Sequence, residues 1–187
     1  MLFVISAPSG AGKTTIIREL YKIFPHLKFS VSATTRSIRR NEVNGRDYYF
    51  ITPGEFKQKI SDNEFAEWED VYGNYYGTLK SELEKCLGTN DDMIFDVDVK
   101  GALSIKNIYP ESVIFFIDVP VPELIERVKK RGSETEEQLK KRAERISMET
   151  AEKKKFDYII DNRNNPEGLK KAVNEIAEII KKYKHNT

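Results

Sequence analysis

The hydrophobic positions of the chain first form short apolar runs. Residues 2–5, 93–97 and 113–119 are nearly continuous runs of this kind, which is typical of strands that are covered on both faces. A shorter run at residues 158–160 predicts one more core strand. Strands that are buried on both faces usually belong to a parallel sheet with helices on either side.

Between these runs, apolar residues recur at the three- and four-residue spacing of helices. The spacing predicts a first helix that ends before Pro25, two helices at residues 122–131 and about 135–154, and a last helix that begins at Asn165-Pro166. The last helix carries an apolar stripe formed by Leu169, Val173, Ile176 and Ile180. Helices that alternate with buried strands predict an α/β doubly wound fold.

The pattern changes between residues 28 and 78, which hold short alternating stretches, many aromatic residues and the turn pair Asn44-Gly45. Residues 48–51 have the aromatic composition of a strand. Residues 52–55, Thr-Pro-Gly-Glu, then predict a helix start, because threonine caps the helix, proline takes its first position and glutamate completes a capping box. We therefore expect a small, largely β lobe inserted into the parallel-sheet core.

The composition of the 187 residues fits one domain, since 39% of them are hydrophobic and can form a sizeable core. The formal net charge is only +1, so the chain is expected to bind neither nucleic acid nor membranes. One cysteine excludes an intramolecular disulfide, and no run reaches the roughly 20 apolar residues of a membrane span. We expect a soluble cytoplasmic protein, and the sequence leaves open whether it forms a homo-oligomer.

Residues 7–14, Ala-Pro-Ser-Gly-Ala-Gly-Lys-Thr, resemble the Walker A phosphate loop, although Ala7 stands where the motif begins with glycine. Glycines let backbone N–H groups turn towards phosphate oxygens, and the helix start that follows adds partial positive charge. In such a loop Lys13 reaches the β- and γ-phosphates, and the Thr14 hydroxyl can ligate Mg²⁺. The predicted ATP-binding residues are Ser9, Gly10, Ala11, Gly12, Lys13, Thr14 and Thr15.

Six further segments follow in the order expected for one enzyme family. They are residues 29–39 (Phe-Ser-Val-Ser-Ala-Thr-Thr-Arg-Ser-Ile-Arg), 45–48 (Gly-Arg-Asp-Tyr), 64–68 (Glu-Phe-Ala-Glu-Trp), 73–78 (Gly-Asn-Tyr-Tyr-Gly-Thr), 96–101 (Asp-Val-Asp-Val-Lys-Gly) and 131–137 (Arg-Gly-Ser-Glu-Thr-Glu-Glu). With the phosphate loop they resemble the guanylate kinase family over almost the whole chain. The resemblance implies transfer of the terminal phosphate of ATP to GMP, with dGMP as a second expected acceptor and Mg²⁺ as the cofactor.

The resemblance also implies a P-loop NTPase-type parallel sheet flanked by helices. Residues 1–187 would form a single guanylate kinase domain. Its expected parts are a core of residues 1–31, 79–126 and 156–187, an inserted mostly β GMP-binding lobe of residues 32–78, and a helical lid of residues 127–155. Closure of the lid would exclude water from the transferring phosphoryl group.

The resemblance assigns the GMP site to the inserted lobe. The family's two arginines and two tyrosines for the GMP phosphate match Arg36, Arg39, Tyr48 and Tyr76. Guanidinium forks suit phosphate oxygens, and phenol hydroxyls add neutral donors. The family's base-reading glutamate matches Glu67, whose carboxylate can accept from the N1 and N2 donors of guanine, whereas adenine presents a lone pair at N1. The other expected GMP contacts are Ser32, Thr78 and Asp98.

Phosphoryl transfer depends on positioning and on neutralising charge, so the expected catalytic groups are cations. Lys13 belongs to the phosphate loop. The resemblance adds Arg131 and Arg142 as phosphate contacts, and Arg127 is the next candidate after them. Arg127 and Arg131 are four residues apart, which puts them on one helix face.

The expected metal ligands lie at the phosphate loop and at the end of an apolar strand. Asp96 ends that strand where a carboxylate for Mg²⁺ belongs, so it joins Thr14 as an expected ligand, directly or through a water molecule. Asp98 is expected to point towards the acceptor and the metal, and the sequence leaves open which of the two carboxylates dominates at the metal. By resemblance, Asn162 after the last core strand is expected on the adenine side of the ATP site.

Two alternatives remain at the level of the sequence. One is another nucleoside monophosphate kinase, which Glu67 argues against because its carboxylate fits the donors of guanine. The other is a non-catalytic guanylate-kinase-like protein-binding module, which would keep the acceptor lobe but lose the ATP loop. Lys13 and Thr14 argue against such a module. A GTPase would need an Asn-Lys-x-Asp segment, which the sequence lacks.

Overall fold

A computed structural model of the chain describes residues 1–89, 91–130, 135–163 and 167–185. The strands are β1 (Leu2–Ser6), β2 (Lys28–Phe29), β3 (Ala33–Thr34), β4 (Tyr49–Phe50), β5 (Phe65–Val71), β6 (Asn74–Leu79), β7 (Met93–Val97), β8 (Val113–Asp118) and β9 (Tyr158–Asp161). The helices are α1 (Lys13–Ile23), α2 (Pro53–Ser61), α3 (Lys80–Leu87), α4 (Val99–Ile108), α5 (Val121–Lys130), α6 (Glu136–Ala151) and α7 (Gly168–His185), with a 3₁₀ helix at Glu152–Lys155.

The central sheet has five strands in the order β2-β7-β1-β8-β9, and every pairing in it is parallel. Helices pack on both faces, which requires both sets of alternating side chains in β1 to be apolar. Phe3 and Ile5 face a cluster with residues of α1, α5 and α7, whereas Val4 faces a cluster with residues of α3 and α4. The α/β fold predicted from the apolar runs is therefore confirmed.

A second sheet of four strands, in the order β4-β3-β6-β5, forms the inserted β lobe. Its small core is built around Phe56, whose ring stacks on Phe65 at 4.3 Å and on Tyr75 at 5.3 Å between ring centroids. Helix α2 begins as predicted, since the Thr52 hydroxyl accepts from the Glu55 N–H while the Glu55 carboxylate accepts from the Thr52 N–H. The lobe thus has its own packing centre apart from the central sheet.

The helices around the central sheet differ from the predicted ones mainly at their ends. Helix α6 starts at a capping box of Thr135 and Gln138, but it ends before residue 154 because Glu152–Lys155 tightens into a 3₁₀ turn. In α7 the predicted stripe was wrong at Leu169, which is 37% exposed. The predicted start at Asn165-Pro166 includes residues outside the described ranges. Among the described helices, none is long and apolar enough to cross a bilayer.

Candidate active site

A cleft of about 360 Å³ opens where the carboxyl ends of β1 and β7 meet the β lobe and α6. Parallel strands end together at one edge of a sheet, so the loops that follow them converge there. Eleven residues predicted from the sequence line this cleft. They are Ser9, Lys13, Ser32, Arg36, Arg39, Tyr48, Glu67, Tyr76, Asp96, Asp98 and Arg142.

The phosphate loop turns sharply between β1 and α1. Gly10 and Gly12 have φ of 91° and 94°, a left-handed conformation that favours glycine. Ala7 is buried and is not among the described residues with positive φ, which explains why a methyl group is tolerated there. Gly12 caps α1 without a side-chain hydrogen bond, so the first N–H groups of the helix are oriented to bind an anion.

Lys13 lies folded over the phosphate loop. Its Nζ donates to the carbonyls of Ala7 at 3.5 Å and Val97 at 3.2 Å, and it is 3.4 Å from Asp96 Oδ1. These contacts hold the ammonium group beside the point where phosphates would sit on the loop. Thr14 and Thr15 are exposed on the first turn of α1.

Arg127 and Asn162 lie behind the phosphate loop. The Asn162 amide donates to the Ala11 carbonyl at 2.8 Å. Arg127 donates to the carbonyls of Gly10 at 3.3 Å and Asn162 at 3.1 Å, and it also pairs with Glu123. These bonds support the loop backbone. The predicted catalytic Arg131 lies outside the described residues.

Arg36 is held in place before any ligand arrives. Its guanidinium forms two hydrogen bonds with the Glu42 carboxylate, at 3.0 and 2.9 Å, and lies over the rings of Tyr48 and Phe50 at 5.5 and 5.6 Å. Tyr48 contacts the ring of Tyr76 in turn, and burial raises the pKa of Tyr48. Two phenol donors and an oriented guanidinium therefore meet on one wall of the cleft.

Glu67 lies on β5 directly opposite Thr78 on β6. The buried Thr78 hydroxyl donates to Glu67 Oε1 at 2.6 Å, which fixes the direction of the carboxylate. Burial raises the pKa of Glu67 despite this hydrogen bond. A carboxylate that has lost much of its hydration gains strongly from a ligand with two N–H donors.

Asp98 forms the N-cap of α4, and its Oδ1 accepts from the Gly101 N–H at 2.8 Å. Burial, the hydrogen bond with Glu69 and the charges of Glu69 and Glu67 raise the pKa of Asp98 to about 7. In Glu69, burial acts in the same direction, but the hydrogen bond with Asp98 and the nearby cations outweigh it and lower the pKa. The two carboxyl groups thus form one unit in which Asp98 holds the proton more tightly.

Comparison with known proteins identifies the family. A family model described as guanylate kinase matches residues 1–183. The guanylate kinase of Geobacter metallireducens is 43% identical over 181 residues, which cover 96% of this chain and 87% of the relative. That of Porphyromonas gingivalis is 43% identical over 186 residues, or 97% of each chain. The chain belongs to the guanylate kinase family.

A solved structure of the guanylate kinase family has the same architecture. The crystal structure of guanylate kinase from Anaplasma phagocytophilum aligns with a TM-score of 0.77 at 26% identity, over 98% of this chain and 85% of that chain. The chain therefore has the guanylate kinase fold.

The residues at the phosphate loop fit Mg²⁺ that binds together with a nucleotide. In the described part of the chain, no group of three His, Cys, Asp or Glu residues could hold a metal ion. Mg²⁺ in kinases usually takes one or two protein ligands, substrate phosphates and water. The Asp96 carboxylate and the Thr14 hydroxyl provide oxygen donors of this kind.

Five polar residues of the cleft were not predicted from the sequence. They are Glu69, Tyr72, Asn74, Arg145 and Glu149. Glu42, which holds Arg36, was also missed. Glu69 and Arg145 are 76 residues apart in sequence, so no local pattern links them. The alternation of β5 was a signal for Glu69, because Glu69 is two residues beyond Glu67 and therefore on the same face.

Replacing Gly101 with alanine is expected to disturb Glu67 without unfolding the protein. A Cβ there would lie 2.7 Å from Glu67 Oε2 and 3.2 Å from Asp98 Oδ1, so the end of the Glu67 side chain must move. Alanine itself favours a helix over glycine by up to about 1 kcal/mol. In steady-state kinetics, KM for GMP should rise about tenfold while KM for ATP stays constant. An unchanged KM for GMP would contradict the expected role of Glu67 in binding GMP.

Proposed function

We propose that the chain catalyses ATP + GMP = ADP + GDP, with dGMP as a second acceptor, in a single domain made of the core, the GMP-binding lobe and the lid described above. The observation that carries this proposal is the shared cleft. The phosphate loop of the core contributes Lys13 to its lining, and the β lobe contributes Arg36 and Glu67. Two nucleotides bound to these two parts of the cleft would meet with their phosphates end to end.

The base of GMP is selected by hydrogen-bonding groups that are buried or half-buried. The Glu67 carboxylate, oriented by Thr78, accepts from N1–H and N2–H of guanine. Ser32 donates to O6 or N7, and Asp98 Oδ1 lies with Glu67 Oε2 beside Gly101. Adenine would leave the Glu67 carboxylate facing a lone pair, and a site of this kind rejects the wrong base strongly.

The phosphate of GMP binds to Arg36, Arg39, Tyr48 and Tyr76. Arg36 already has its plane fixed by Glu42 and by two aromatic rings. A fixed guanidinium loses little further freedom when it binds phosphate oxygens. Arg39 is exposed at the rim of the cleft and can close over the phosphate as it arrives.

On the ATP side, the loop N–H groups of residues 9–15 bind the phosphates, while Lys13 neutralises the charge that develops during transfer. Mg²⁺, when bound with ATP through Thr14 and Asp96, neutralises further phosphate charge. Arg142 reaches the loop edge from α6, with Nη1 at 3.4 Å from Ser9 Oγ. Arg131 is proposed as the second lid cation. Arg127 and Asn162 support the loop from behind.

Replacing Arg36 with lysine is expected to weaken the binding of GMP but not that of ATP. Lysine keeps the charge but lacks the planar fork that binds Glu42 and phosphate oxygens. KM for GMP should rise at least about tenfold, with KM for ATP unchanged, in steady-state assays. Lysine at Arg46, an exposed residue of the same lobe that pairs with Asp47, is the matched control. Equal effects of the two changes on KM for GMP would contradict a role of Arg36 in binding the GMP phosphate.

The proposed function is tested by assaying the purified chain with ATP, Mg²⁺ and a panel of GMP, dGMP, AMP and UMP. Chromatography of the products should show ADP and GDP, with kcat/KM for GMP at least about 10³ times that for AMP. Comparable turnover of AMP or UMP would indicate a different nucleoside monophosphate kinase. Binding of GMP without any turnover would indicate a protein-binding module.

A further inference from the structure

Arg145 joins three parts of the molecule. It lies on α6, and its Nη2 donates to Glu69 Oε2 of β5 at 2.9 Å and to Asp98 Oδ2 at the start of α4 at 3.0 Å. Its Nε donates to Glu149 on α6 at 2.7 Å. With three carboxyl groups around it, this guanidinium links the β lobe, the core and α6.

The ion pairs of Arg145 are well shielded from water. The side chains of Arg145, Glu69 and Glu149 are only 23%, 14% and 12% exposed. Lys100, which is largely exposed, binds the other carboxylate oxygen of Glu69 at 2.8 Å. Shielded pairs of fixed geometry contribute more than exposed ones, which are screened by solvent and salt.

Tyr72 makes a second contact between the β lobe and α6. Its ring lies 5.2 Å from the Arg142 guanidinium and 5.8 Å from that of Arg145. These arginines are three residues apart and therefore share one face of α6. The aromatic face of Tyr72 attracts both cations.

The backbone at Tyr72 indicates that its side chain has a role outside the turn. Tyr72 and Gly73 form the two-residue turn between β5 and β6, with φ of 55° and 81°. The first position of such a turn favours asparagine or glycine, and a bulky residue with positive φ is unusual. The unfavourable conformation places the ring against Arg142 and Arg145.

We propose that Tyr72 and Arg145 are positioning residues that fix α6 against the β lobe and thereby hold Arg142 at the junction of the two phosphate sites. Arg145 is held by carboxylates, Tyr72 provides a flat surface, and Arg142 lies one turn before Arg145 with a nitrogen 3.4 Å from the Ser9 hydroxyl. This inference rests on the proposed function and adds two residues to it. It implies that binding of GMP to the lobe and placement of the lid cation are coupled.

The first test is a double-mutant cycle in kcat. Arg145→Gln should lower kcat about tenfold in the wild-type background, because a misplaced catalytic group costs rate. In an Arg142→Lys background the same change should lower kcat less than about twofold, since residues that act through one another are not additive. Glu69→Gln should show the same dependence on the background with a smaller loss, and it replaces Arg145→Gln in the cycle if that variant does not fold.

The second test separates positioning from stability. Tyr72→Asn should preserve or raise Tm, because asparagine favours the turn, while kcat falls severalfold. Tyr72→Phe keeps the ring and should retain the wild-type kcat. Lys141→Gln is the matched control on α6, because Lys141 pairs with the exposed Glu137. Its kcat should stay unchanged.

Two results would refute the positioning role while leaving the proposed function intact. One is an active wild type in which Arg145→Gln or Glu69→Gln lowers kcat equally in both Arg142 backgrounds. The other is a Tyr72→Asn variant with the wild-type kcat. A folded wild-type chain that transfers no phosphate from ATP to GMP would instead refute the proposed function itself.

Discussion

Replacing Lys13 with alanine should lower kcat at least about 10³-fold. Losses of this size are typical when a cation that stabilises the transition state of phosphoryl transfer is removed. The ammonium group lies 3.4 Å from Asp96 and 3.2 Å from the Val97 carbonyl, next to the loop where the phosphates of ATP would bind. GMP affinity should change little, because the expected phosphate and base contacts at Arg36 and Glu67 belong to the β lobe, whereas Lys13 belongs to the phosphate loop. Coupled-enzyme kinetics and calorimetric titration with GMP measure the two effects.

Lys22 provides the control for the Lys13 variant. It lies on the same helix but is exposed and pairs with Glu19, so Lys22→Ala should keep the wild-type kcat. Comparable activity of Lys13→Ala and the wild type would contradict the assignment of the phosphate loop. A loss of GMP affinity as large as the loss of kcat would show that Lys13 acts on both nucleotides.

Replacing Glu67 with glutamine should reduce the preference for GMP over AMP about 10²-fold or more. The amide presents a donor as well as an acceptor, so it can no longer accept from both N–H groups of guanine. Thr78 would still have an oxygen at hand for its 2.6 Å hydrogen bond, and the backbone of β5 should stay in place. Ratios of kcat/KM for GMP and AMP measure this effect.

The same Glu67 variant should leave the unliganded protein at least as stable as the wild type at neutral pH. Burial raises the pKa of Glu67, so the folded state binds this proton more tightly than the unfolded state. The favourable contribution of the protonated group is present at low pH and is lost as pH rises through the raised pKa. Thermal unfolding should thus show a Tm difference in favour of glutamine that shrinks as pH falls.

Glu64 is the matched control for Glu67, since it is an exposed glutamate of the same lobe that pairs with Lys59. Glu64→Gln should leave the preference for GMP unchanged. An unaltered preference for GMP over AMP in Glu67→Gln would remove this residue from base reading. A marked drop in Tm at neutral pH would show that the Glu67 charge is stabilised in the folded protein.

Where the structural elements lie was largely predictable. Continuous apolar runs at residues 2–5, 93–97 and 113–119 became β1, β7 and β8, because strands buried on both faces leave no polar alternation. The helix start at Thr52 was predictable from a local hydrogen-bonding pattern. The error at Leu169 arose because periodicity shows the apolar face of a helix but not where that face leaves the core.

The sequence by itself determined the phosphate loop, the alternation of strands and helices and the ordered motifs of the family, since each depends on residues close together in the chain. Only the tertiary structure decided which side chains from distant segments come into contact. Arg145 meets Glu69 across 76 residues, and Gly101 lies beneath the Glu67 carboxylate. Such contacts are set by how the lobe and α6 pack on the sheet, and no local spacing records them.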